Sequence, residues 1–117
     1  MGSQVGTPFV ASNATLIDGT TPRAIKAAPP AGFQYLIHGI VVANKTVAET
    51  CQILIKDTAA SPKLLAAVQL IASVKAGDFI PFAEPIVVDA LLGITGEAEA
   101  AFGDTTVIVY GVQRRTS

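Results

Sequence analysis

The sequence contains no tryptophan, one cysteine, one histidine and one methionine in 117 residues. With Cys51 alone, no disulfide can close within a chain. One Cys and one His, His38, cannot supply a zinc site of the usual Cys/His type within one copy. With no tryptophan and two tyrosines, the exposed aromatic platform that favours carbohydrate is not expected. Charge is scarce as well: Asp, Glu, Lys and Arg make up 15% of the chain, against ~25% in ordinary soluble domains. The net charge of -1 speaks against nucleic acid as a partner, because phosphate binding needs a dense basic patch. Arg114 and Arg115 are the one adjacent basic pair and read as a charged tail. With so few charges, either the surface is largely neutral or part of it is buried against other chains.

Catalytic and cofactor signatures are missing too. His38 lies between Ile37 and Gly39 in an apolar run, and no Gly-x-Ser-x-Gly elbow marks a nucleophile. Gly93 and Gly96 precede no helical pattern, so no phosphate-cradling loop is formed. No Asp-x-Asp-x-Asp-Gly run suggests calcium. Glu97 and Glu99 share one strand face, whereas glycosidase carboxylates must oppose each other across a cleft; they read as a solvated edge that blocks unwanted strand pairing. Cys51, ahead of Gln52-Ile53-Leu54-Ile55, reads as a buried small hydrophobe. The expectation is a non-enzymatic chain without cofactor or metal. No apolar run reaches the ~18 residues of a membrane-spanning helix. The start, Met1-Gly2-Ser3-Gln4, lacks the basic and apolar regions of a secretory signal, so a cytoplasmic origin is expected, with no membrane partner.

What the chain does have is strand. Half of it is apolar, arranged in Ile/Val/Leu/Ala runs broken by Gly, Pro, Asp and Asn. The first 32 residues hold four of the seven prolines and read as an extended, Pro-rich arm with short strands at 14–18 and 23–27; residues 1–13 would lie on something else. Residues 33–117 read as the main domain. Its best strand runs from Gln34 to Asn44. Tyr35, Ile37, Gly39, Val41 and Ala43 alternate there with Leu36, His38, Ile40, Val42 and Asn44. Both sets are apolar, which predicts burial on both sides. Further strands are expected at 50–57, 78–82 (with Pro81, hence at an edge), 86–90, 91–102 and 105–112. Turns are expected around Ala83-Glu84-Pro85 and Gly103-Asp104. Residues 64–74 fit either a helical stripe or a strand, and the strand neighbours favour the strand. About eight short strands with regular turn punctuation predict an all-β, antiparallel sandwich or barrel.

Gly39-Ile40-Val41-Val42-Ala43-Asn44, then Cys51-Gln52-Ile53-Leu54-Ile55-Lys56-Asp57, Leu64-Leu65-Ala66, Lys75-Ala76-Gly77-Asp78 and Thr106-Val107-Ile108-Val109-Tyr110-Gly111 resemble, in strand lengths and turns, the small virion proteins of tailed bacteriophages. The resemblance covers residues 34–112. It implies a jelly-roll-like β-sandwich that forms homo-oligomers, trimers above all. Such a protein decorates a capsid by binding the major capsid protein or another virion protein, or sits at the neck, tail or head fibre. The expected interface residues are Phe9 and Val10 in the arm with one face of the long strand: Tyr35, Ile37 and Val41, or Leu36, His38 and Ile40. A carbohydrate-binding module for host adhesion is the rival from another class.

Overall fold

The computed structural model describes residues 6–44, 51–70, 77–100 and 105–116. Eight strands are present among them: β1 (Thr7–Ser12), β2 (Arg23–Lys26), β3 (Phe33–Asn44), β4 (Cys51–Asp57), β5 (Leu64–Leu70), β6 (Gly77–Val87), β7 (Ile94–Ala98) and β8 (Thr105–Arg115). They form two four-stranded antiparallel sheets packed as a sandwich, in the orders β1-β8-β3-β6 and β2-β7-β4-β5. The pairs β1·β8, β2·β7, β3·β6 and β4·β5 are the successive rungs of one long hairpin, folded back between β4 and β5. Alternate rungs fall in alternate sheets, so the ribbon is rolled.

The core lies between the sheets. Ile37, Ile40 and Val42 of β3 and Val107 and Val109 of β8 meet Ile53, Ile55, Val68, Ile94 and Ala98 of the other sheet, with Ile17 and Ile25 at one side. Each side chain of this size contributes about 1.5–3 kcal/mol on burial.

β3 departs from the expected period. Its register breaks between Ile37 and Gly39 against both neighbours, leaving His38 as the extra residue of a bulge. Before the bulge the odd residues Tyr35 and Ile37 point inward; after it the even residues Ile40 and Val42 do. A bulge shifts side chains by one position, so the two apolar sets of the sequence are largely one inner face read across a phase change. Gly111 makes room for this kink: a Cβ there would overlap the Leu36 carbonyl oxygen.

β1 and β2 fall inside the stretch expected to be an arm, and both are edge strands of the sandwich. Asn13, buried, ties the end of β1 in place. Its Nδ2 donates to the carbonyls of Thr15 (2.9 Å) and Thr105 (3.2 Å), and its Oδ1 accepts from the Val107 amide (2.7 Å). The strand expected at 14–18 is instead an irregular segment with a single bridge, in which Ile17 and Thr105 exchange two backbone hydrogen bonds of 3.0 Å. Residues 64–70 form a strand, as favoured; 71–74 lie outside the described residues, as do 1–5, the Cys51 side chain and the turn at 103–104. The turn expected at 83–85 does not occur. β6 runs through it, and the register against β3 jumps from Gly39–Pro81 to Ile37–Ile86. The single strand expected at 91–102 is a turn followed by the shorter β7.

Candidate functional site

The outer face of β1-β8-β3-β6 is the surface most unlike the rest. Its pairing stacks side chains in rows across four strands. One row is Val10, Tyr110, Gly39 and Pro81. The row to one side is Pro8, Val112, Leu36 and Val87, and to the other Ser12, Ile108, Val41 and Phe79. No charged residue stands in these three rows. Val10 is 74% exposed and Phe79 58%. Four strands ~4.8 Å apart and five residues at ~3.4 Å each give the face a footprint on the order of 300 Å².

At its centre the ring of Tyr110 lies over Gly39, where an added Cβ would come within 2.6 Å of Tyr110 Cε1. Tyr110 also stacks on Phe79, with centroids 5.8 Å apart and planes 20° from parallel. Gly39 is therefore needed for a close approach: it lets the aromatic pair lie flat on the sheet. Charge reappears one row beyond Pro8, where Arg114 Nε donates to Gln34 Oε1 at 3.3 Å.

The outer face of β2-β7-β4-β5 is polar. Lys56 Nζ pairs with Glu97 Oε1 at 3.3 Å across β4 and β7. Glu99 Oε1 accepts from the Gln52 amide at 3.1 Å. These contacts correct the reading of Glu97 and Glu99 as an edge: β7 lies between β2 and β4, and each carboxylate has a partner on β4. Among the described residues, no group of three His, Cys, Asp or Glu side chains could hold a metal ion.

The residues expected at an interface divide into three sets. Tyr35, Ile37 and Ile40 are buried in the chain's own core. Phe9 packs on that core from the inner side of β1, its ring 5.0 Å from that of Tyr35, and Lys26 Nζ stands 5.5 Å and 5.7 Å from the two ring centres. Tyr35 Oη donates to the Ala27 carbonyl at 2.6 Å, and burial raises its pKa above the usual tyrosine value. Val10 and Val41 lie on the uncharged outer face; Leu36 stands in its rows but is buried, 8% exposed, and His38 sits half-buried at the bulge. Tyr110, Phe79, Ile108, Val112 and Val87 belong to that face and were not among the expected residues. The signal for the β8 members was present: Val107 and Val109 alternate with Ile108 and Tyr110, so both sides of β8 are apolar with no bulge to explain it. Against known proteins, the chain matches no family model, no curated protein and no solved structure.

Proposed function

We propose that this protein is a non-enzymatic structural protein of a tailed-phage virion, a capsid decoration protein that binds the assembled shell as an oligomer. The observation that carries the reading is the outer face of β1-β8-β3-β6, uncharged across three rows and carrying an aromatic pair. Monomeric soluble proteins keep large apolar patches covered or use them for binding, and aromatic residues are the usual anchors of protein interfaces. The rolled-hairpin strand order supports the jelly-roll reading implied by the resemblance to phage virion proteins.

The mechanism is contact, not chemistry. A footprint on the order of 300 Å² is well short of the ~800 Å² each partner gives to a standard interface. One copy on its own therefore binds weakly. Copies joined to one another bind a repeating shell by avidity, and binding that selects the assembled shell stabilises it by mass action, by about 2.7 kcal/mol per site at a hundredfold excess over Kd. The direct check is the temperature at which purified capsids rupture, with and without the protein. A rise supports cementing, and an unchanged temperature removes it. Binding to isolated necks, tails or head fibres in place of the shell would reassign the protein to an adaptor role. One observation favours a glycan instead, the exposed ring of Phe79; glycan-array binding by the purified protein decides that reading.

A further inference from the structure

We infer that β5 is a self-pairing edge, and that two copies join through it in antiparallel register about a two-fold axis near Ala67. The sandwich has four edge strands: β1, β6, β2 and β5. An edge exposes a row of unpaired N–H and C=O groups, and proteins block unwanted pairing with proline, charge, bulges or shortness. Three of the four are blocked. β1 carries Pro8; β6 carries Pro81, Glu84 and Pro85 and breaks register. β2 has four residues, a bulge, and a charge at either end in Arg23 and Lys26.

β5 carries only one of them, a bulge at Leu65 where Ile55 pairs with Ala66 and Lys56 with Leu64; residues 66–70 beyond it keep a regular register. Residues 64–70, LLAAVQL, contain no charge and no proline. β5 is paired with β4 on one side, and among the described residues no strand lies on the other. Leu64 is 52% exposed.

The occupant is a second copy because two-fold pairing sets a strand against itself. A charged strand would then oppose its own like charges, which destabilises the pair; β5 is neutral throughout. An axis at Ala67 places Ala67 opposite Ala67 on the outer side and Ala66 opposite Val68 on the inner side. Small residues at the centre let the two backbones approach. The product is a continuous eight-stranded sheet, β2-β7-β4-β5 joined to its copy, with main-chain hydrogen bonds supplying the affinity. With the axis normal to the sheet, both uncharged outer faces of β1-β8-β3-β6 point the same way and can meet one surface together. That last consequence rests on the function proposed above; the pairing itself does not.

Sedimentation equilibrium tests the pairing without any capsid. Wild-type protein should show twice the 12.0 kDa chain mass. Ala67→Lys and Ala67→Glu, at an exposed position, should each weaken self-association by about tenfold or more through like-charge opposition, with unchanged circular dichroism. Mixing the two variants should restore the dimer, an outcome that a folding defect could not give. In a Cys51→Ser background, Ala67→Cys should form an interchain disulfide under mild oxidation. A monomeric wild type, a trimeric mass, or a dimer insensitive to both charges would overturn the inference. Shell binding that failed while the dimer persisted would sink the decoration reading alone.

Discussion

On the outer face of β2-β7-β4-β5, Lys56 meets Glu97 at 3.3 Å and Glu99 reaches the Gln52 amide. On the outer face of β1-β8-β3-β6, the same strand geometry presents Val41, Ile108, Phe79 and Tyr110, with no charge across three rows. One sheet is built for water and the other is not. The low charge content is therefore not a uniform dilution over the surface; three adjacent rows of one face carry no charge. Since both sheets already bury their inner faces in a shared core, the second apolar face adds nothing to the fold of a single copy. Under the function proposed above, it is the surface on which a partner docks.

The largest effect that sharpens this contrast separates the inside of β3 from its outside. Ile37→Ala should cost about 3–4 kcal/mol of unfolding free energy, the range for a large buried aliphatic. Val41→Ala, four residues along but facing out, should cost under about 1 kcal/mol; urea denaturation measures both. Next comes charge placed on the apolar face. Val41→Lys or Ile108→Asp should weaken shell binding by about tenfold or more, some 1.4 kcal/mol. A smaller effect is expected on the polar face. Lys56→Ala removes a partly exposed ion pair worth about 0.2–1 kcal/mol, should lose that much stability, mostly at low salt, and should leave binding unchanged. The smallest concerns Tyr35. Burial raises its pKa from the ordinary 10.0, so above that pH the folded chain holds a proton that the unfolded chain has released. Its contribution is fully present below about pH 10 and is lost as the pH rises through the folded value. Tyr35→Phe should flatten the alkaline limb of the stability curve, read by thermal melts from pH 9 to about 11.

The fold was largely legible in the residues, because punctuation by Gly, Pro and Asp marks strand ends wherever strands are short. β3, β4 and β8 fall where alternation placed them, and β5 where its strand neighbours favoured a strand over a helix. The errors share a physical origin in register, which is a property of two strands and not of one. Nothing local announces that His38 is a bulge, so the alternation of β3 was read straight through it. Pro81 marks an edge strand, as found, but nothing local shows that β6 runs on through Pro85 by bulging there. Residues 7–12 look like an arm because Pro8 precedes a short polar-flanked run; they become a strand only because β8 supplies the partner and Asn13 the anchor. The candidate surface was half legible for the same reason. Val10, Leu36 and Val41 were on the right face. Unbroken alternation offers two faces, Tyr35, Ile37 and Val41 or Leu36, His38 and Ile40, and the bulge splits each of them between inside and outside; Phe79 and Tyr110 come together only across β3.

The measurement that bears most directly on the contrast is co-sedimentation with purified capsid shells of two matched variants. Phe79→Lys puts a charge on the uncharged face, beside Tyr110; Ala24→Lys puts the same charge on the exposed polar face. If the uncharged face is the working surface, Phe79→Lys loses shell binding by about tenfold or more while Ala24→Lys binds as wild type. Equal binding by the two, or loss confined to Ala24→Lys, would contradict it.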